Sequence, residues 1–257
     1  MIATEQRDHA HVITIDRPDQ RNALNEAVGA GLVTALDAAE ADPACRVIVL
    51  TGRGDKAFCA GGDLKSTGGD APLDVAPSDP RNFVVALLGR MAACRLPIIA
   101  RVNGHALAGG LGLVCACDLA VTTERATFGT PEVGVGLFPM MILPVLARML
   151  PARKLLELCL TGDPITAQEA LAVGLVNRVV AHDQLDAATD ALVAKVCSRS
   201  PTAIRLGKQA AHAMRDMALG EALDYAQLMF ALMAQTRDTA EGIAAFRARR
   251  EPTWTGT

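Results

Sequence analysis

Three segments of the chain carry residue types suited to moving a proton on a bound ligand. Phe128-Gly129-Thr130-Pro131-Glu132-Val133-Gly134-Val135-Gly136 sets one carboxylate between Pro131 and Val133. Apolar company there disfavours the charged form and raises the pKa of Glu132, which suits it to acid/base work near neutrality. The other two segments are glycine-rich turns, Phe58-Cys59-Ala60-Gly61-Gly62-Asp63-Leu64 and Asn103-Gly104-His105-Ala106-Leu107-Ala108-Gly109-Gly110-Leu111-Gly112. Glycine lets the backbone approach a ligand closely. Two converging N–H groups, one at a helix N-terminus, would hold negative charge developing on an oxygen. Taken singly, each segment has a plainer reading as a tight turn or a loop acid. The second turn does not keep the G-x-G-x-x-G spacing of a dinucleotide site, and no suitable acid on a following strand supports one.

The elements that must position these groups alternate between strand and helix patterns. Val12-Ile13-Thr14-Ile15 reads as a strand ending in a turn at Asp16-Arg17-Pro18. Asn25 is an N-cap by type, and Val28, Leu32, Leu36 and Ala39 then form one apolar helical stripe that Asp42-Pro43 stops. Buried strands are expected at 46–52, 97–104 and 118–122, with a last one at 175–180. The first two lead into the glycine turns. Strand, helix, strand, glycine turn, helix, strand is the order of an α/β layer architecture with crossover connections. The stretch Ser66 to Pro80 reads as a loop long enough to cover a site. Beyond the last strand the patterns are helical, at 184–198, 201–219, 221–236 and 238–249. The expected organisation is an α/β core over 1–197 and a helical region over 198–257.

Composition narrows the function classes. Half of the 257 residues are hydrophobic and only 3% are aromatic, so a core of Ala, Leu, Val, Ile and Met is expected. A net charge of −3 gives no basic footprint for nucleic acid. The N-terminal residues carry charges where a signal peptide needs an apolar stretch. The most apolar segment, Leu137 to Ala147, is about half the ~20 residues of a membrane span and contains Pro139 and Pro144. A cytoplasmic protein with no membrane partner is expected. The seven cysteines sit in apolar contexts and read as reduced structural thiols; no Cys/His cluster has zinc-ligand spacing, so no metal site is expected.

Together the three segments resemble the enoyl-CoA hydratase/isomerase (crotonase) family over nearly the whole chain. Arg17-Pro18 with Asn22-Ala23-Leu24 looks like the family's opening coenzyme A contact. Ala57 to Leu64 is similar to its A-F-x-A-G-x-D-[LI] turn, and Asn103 to Gly110 with Cys117-Asp118 to its N-G-x-A-x-G-G…C-D element. Phe128 to Glu132 with Gly136-Leu137 resembles F-x-x-P-E-…-G-L. Leu160-Thr161-Gly162-Asp163, then Ala167, Ala170 and Gly174-Leu175-Val176, resemble the later T-G-…-G-L-V pattern. The resemblance implies an α/β spiral of ββα units with C-terminal helices that support homotrimers or dimers of trimers. It implies an oxyanion hole made by the N–H groups of Gly62 and Gly109, and Glu132 as the catalytic acid/base. It implies that Ala23, Leu24, Ala60, Asp63 and Leu64 hold the coenzyme, with Phe246 and Arg249 reaching a neighbour's. Coenzyme A then enters as part of an acyl-CoA thioester substrate, and no permanently bound cofactor is expected. Asp63 and Asp118 read as structural acids and His105 as a packing residue.

The chain departs from the family's best-known hydratases at Gly112, where those carry a first catalytic glutamate. Shifting a double bond needs one base carrying a proton between C2 and C4, so Gly112 favours a single-acid enoyl-CoA isomerase. One alternative is an enoyl-CoA hydratase in which Glu132 works alone or with Asp70, Asp74 or Asp79. Another is a non-catalytic acyl-CoA-binding paralogue. A second departure, Pro139-Met140-Met141-Ile142-Leu143-Pro144, adds adaptable apolar bulk where an apolar acyl group would lie. A serine peptidase on a similar spiral would need a nucleophile elbow, and Ser66, Ser78, Ser198 and Ser200 do not supply one.

Overall fold

The computed structural model describes residues 1–63 and 82–257, so the expected 66–80 loop with Asp70, Asp74 and Asp79 lies outside the described residues. The chain opens with an antiparallel hairpin, β1 (Ile2–Arg7) and β2 (Ala10–Ile15), followed by α1 (Glu26–Ala41). Asn25 caps α1 by accepting from the Val28 N–H, and the stripe Val28, Leu32, Leu36, Ala39 is buried, as its spacing requires.

A unit of long strand, short strand and helix then repeats. The first is β3 (Val47–Gly52), β4 (Ala57–Cys59) and α2 (Phe83–Ala93). The second is β5 (Ile98–Val102), β6 (His105–Leu107) and α3 (Gly109–Ala116). The third is β7 (Leu119–Thr123) and β8 (Thr127–Gly129), ending in a short 3-10 helix, Pro131–Val135. The long strands pair in parallel in a six-stranded sheet, where β3, β5 and β7 lie side by side. The short strands pair in parallel in a second sheet in the order β4, β6, β8. Each unit thus advances one strand in both sheets, which is the expected spiral. Between the two strands of a unit the chain turns a corner, and two buried asparagines pin the first of these, between β3 and β4. Asn103 Nδ2 donates to the Gly54 carbonyl at 2.8 Å while its Oδ1 accepts from the Gly52 N–H at 3.1 Å. Asn22 Nδ2 donates to the carbonyls of Arg53 and Ala57.

After the third unit come α4 (Leu143–Met149), α5 (Ala152–Thr161), β9 (Ile165–Thr166), α6 (Ala167–Ala172) and β10 (Arg178–Val180), the last pairing with β7. The strand expected at 175–180 is half that length. Leu175 donates back to the Ala170 carbonyl, and Asn177 meets Ala120 with its N–H and its side chain, so the regular ladder covers only Arg178–Val180. Four helices complete the chain: α7 (Leu185–Cys197), α8 (Pro201–Met214), α9 (Leu219–Ala234) and α10 (Arg237–Ala248).

The core is largely aliphatic as expected, but its two largest fully buried side chains are Phe58 and Phe128, and Met91 is its single methionine among the described residues. Six cysteines are buried and none is bridged. Burial pushes the Cys59 thiol up to about 12 and the Cys45 thiol up to about 11, which keeps them protonated and inert.

Candidate active site

The small parallel sheet brings the three chemistry-bearing segments to one edge. Cys59 pairs with Ala106, and Leu107 with Gly129, so β4, β6 and β8 end side by side. The turns after these strands all emerge at the same carboxyl end: Gly61-Gly62 after β4, Ala108-Gly109 after β6, and Pro131-Glu132 after β8. Crevices at the carboxyl ends of parallel strands are where open α/β sheets bind ligands.

The two glycine turns pack against each other. Gly61 has φ +94°, and a Cβ there would stand 2.5 Å from the Ala108 Cβ and 3.3 Å from the Gly109 nitrogen. Ala108 itself is held at φ 50°, ψ −125°, a costly conformation for a residue with a Cβ. That rotation sets the peptide plane carrying the Gly109 N–H, the first of α3. Gly110 follows so close to β4 that a Cβ would meet the Cys59 carbonyl oxygen at 2.1 Å. Neither the Gly62 nor the Gly109 N–H donates a hydrogen bond to an acceptor among the described residues. Ala108 N–H donates to the Gly129 carbonyl at 2.8 Å, which ties this turn to the segment that carries Glu132.

One guanidinium holds the first turn in place. Arg17 Nη1 donates to the Ala23 carbonyl at 2.7 Å and Nη2 pairs with Asp63 Oδ2 at 2.8 Å, both side chains being nearly buried. Leu24 N–H donates to the Gly61 carbonyl, Asp63 N–H to the Leu24 carbonyl, and Ala60 N–H to the Arg21 carbonyl. Ala23, Leu24, Ala60 and Asp63 therefore form one braced strip beside Gly62. Leu64, expected alongside them, lies outside the described residues.

Glu132 stands on the 3-10 helix Pro131–Val135, started by a proline whose missing N–H costs nothing there. Gly162, the left-handed C-cap of α5, supports this helix from behind: a Cβ on it would lie 3.1 Å from Val133 Cγ1. Glu132 is half-buried, and its Oε2 is buried with no hydrogen-bond partner among the described residues. Burial raises its pKa above the ordinary 4.5, opposed by its own backbone N–H. Buried polar atoms are nearly always paired, so an orphaned carboxylate oxygen on the same sheet edge as two undonated N–H groups marks this edge as the candidate site.

The remaining expected residues fall elsewhere. Asp118 is structural: it pairs with Lys208 at 2.6 Å and accepts from the Ile98 N–H at 2.7 Å. His105 is exposed rather than packed, and its Nδ1 lies 2.8 Å from Thr127 Oγ1. Phe246 and Arg249 sit at the end of α10, which packs on α8 and α9; Phe246 is 85% exposed. Within the single chain they face solvent. Sequence reasoning missed the strain at Ala108 and the bridging role of Arg17. An alanine preceding a Gly-Gly pair carries no mark of positive φ, whereas an Arg and an Asp flanking two turns is a signal that could have been followed.

Comparison with known proteins gives a consistent result. Residues 5–257 match the family model described as enoyl-CoA hydratase/isomerase. The chain is 34% identical to (E)-benzylidenesuccinyl-CoA hydratase of Thauera aromatica, over 99% of each chain. It is 35% identical to 2,3-dehydroadipyl-CoA hydratase of Escherichia coli, over 95% of this chain and 94% of that one. The crystal structure of an enoyl-CoA hydratase from Bacillus anthracis superposes with a TM-score of 0.92 at 31% identity, covering 100% of this chain and 99% of that one.

Proposed function

The chain belongs to the enoyl-CoA hydratase/isomerase family of acyl-CoA enzymes, and from that premise we propose that it adds water to a 2-enoyl-CoA. The observation that carries this reading is the orphaned, desolvated Glu132 carboxylate on the same sheet edge as the Gly62 and Gly109 N–H groups. The hydratase relatives favour water addition over the isomerisation that Gly112 suggests.

In this mechanism the thioester carbonyl oxygen accepts from Gly62 and Gly109 N–H. Ionised Glu132 takes a proton from water as the hydroxide bonds to C3. The displaced π electrons move to the carbonyl oxygen, and the two N–H groups stabilise that enolate by roughly 3 kcal/mol each. Glu132 then returns the proton to C2, so one carboxylate accounts for the whole of the added water. Ala23, Leu24, Ala60, Asp63 and Leu64 hold the coenzyme. Val135, Leu137, Met140 and Met141, exposed on the segment that carries Glu132, suit an apolar acyl group.

A second reading is isomerisation by the same residue, shuttling a proton between C2 and C4. It is supported by the absence of a carboxylate at Gly112. The region 198–257 serves in oligomerisation: α9 has no buried residue, and Leu219, Leu223, Leu228, Phe230 and Leu232 are exposed along it. So large an apolar surface calls for a second copy. In the trimer or dimer of trimers, Phe246 and Arg249 of one protomer reach the coenzyme bound to another.

Steady-state kinetics of Glu132→Gln on a trans-2-enoyl-CoA test the proposal. A loss of about 10²–10⁴-fold in kcat is expected, the usual contribution of a positioned acid/base. Unchanged kcat would remove Glu132 from the mechanism.

A further inference from the structure

The segment that carries Glu132 rejoins the core through Ile142. From Pro131 to Leu143 the chain runs over the surface, and Pro139 and Ile142 are its buried residues. Ile142 is 2% exposed, and it seats against Gly112. A Cβ on Gly112 would stand 2.4 Å from Ile142 Cγ2 and 2.9 Å from Ile142 Cβ. Gly112 lies one turn into α3, and its N–H donates to the Ala108 carbonyl. The notch is therefore on the helix whose first residue, Gly109, packs against Gly61 and follows β6 on the sheet edge that also leads to Glu132.

We propose that Ile142 is a positioning residue, which fills the notch over Gly112, fastens the Glu132 segment to α3 and keeps a second carboxylate off position 112. The inference rests on the acyl-CoA reading above and deepens it. Any side chain at 112, even a methyl group, must displace Ile142, so an acid cannot be placed at 112 while Ile142 keeps its position. Gly112 and Ile142 are a matched pair rather than a lone lost glutamate.

Thermal melts of Gly112→Ala in three backgrounds test the packing. Inside a helix this substitution normally stabilises. Here it is expected to lower Tm by about 3 °C or more in the wild-type background, because the new methyl overpacks. The same loss is expected with Ile142→Val, which keeps Cγ2. It should fall to about half or less with Ile142→Ala, which removes it. A rise in Tm in the wild-type background, or equal losses in all three, would overturn the proposal.

The pH profile of kcat/KM for hydration gives a readout that packing alone does not move. With Glu132 as the acid/base the wild type should rise with pH to a plateau. Gly112→Glu combined with Ile142→Ala should add a falling alkaline limb, since one of two coupled carboxyls must now keep its proton. A plateau retained by that double variant contradicts the proposal that Ile142 keeps a second working carboxylate off position 112. If the wild type turns over no enoyl-CoA at all, the acyl-CoA reading fails, while the melts still decide whether Ile142 holds the notch.

Discussion

At the scale of single residues, Glu132 shows the tension between stability and activity. Its Oε2 is buried without a partner and its pKa is raised by burial. A carboxyl whose folded pKa lies above its unfolded value favours folding when protonated and penalises it when ionised. The penalty is absent in acid and grows as pH rises through the raised pKa. Glu132→Gln is therefore expected to raise Tm at neutral pH by about 2 °C while lowering kcat as above, with the advantage vanishing below the ordinary carboxylate range. Melts across pH check it; an equal or lower Tm at neutral pH would contradict the desolvation argument. The same sign sets the activity. In the proposed reaction ionised Glu132 takes the water proton, so kcat/KM is expected to rise with pH along a limb displaced above 4.5.

At the scale of elements, the long pieces were legible and the short ones were not. The 16 residues of α1, with its Asn25 cap, and the buried β3, β5 and β7 follow from periodicity and composition. The three-residue strands β4 and β6 overlap what read as glycine turns, and β8 the segment leading to Glu132, because three residues carry no period. Those short strands are what bring the site together, so the site's residues were legible as types while their juxtaposition was not. Resemblance supplied that link. The C-terminal tail was likewise unmarked in the sequence. Asp238, 2% exposed, accepts from Ser200 Oγ, Thr202 N–H, Thr255 N–H and Gly256 N–H, and so clamps the tail to α8 and α10. Burial alone would push its carboxyl up, but the donors, Ser200 foremost, outweigh it and hold the pKa below the ordinary 3.8. A depressed folded pKa gives stability that is present above the unfolded value and lost as pH falls through the folded one. Asp238→Asn should cost about 2 kcal/mol, roughly 6 °C in Tm, at neutral pH, with the difference shrinking below pH 3.8. A difference independent of pH would show that the charge plays no part.

At the scale of the whole molecule, no helix among the described residues is long and apolar enough to cross a membrane, and α9 carries an exposed apolar face that the proposed oligomer would cover. Leu228 is 67% and Phe230 72% exposed in the single chain. Replacing both with Asp is expected to convert a sedimenting trimer or hexamer to monomer. KM for the acyl-CoA should rise more than kcat falls, because Phe246 and Arg249 would no longer reach a neighbouring coenzyme. A monomeric wild type, or a double variant with unaltered mass, would remove the oligomer from the account.

The central claim is that Glu132 drives addition of water across a 2-enoyl thioester, and mass spectrometry of a trans-2-enoyl-CoA incubated with the protein in heavy water tests it most directly. The account requires a product heavier by one whole D₂O, formed by the wild type and not by Glu132→Gln. Deuterium incorporated without added water would contradict hydration and leave isomerisation as the reaction of this site.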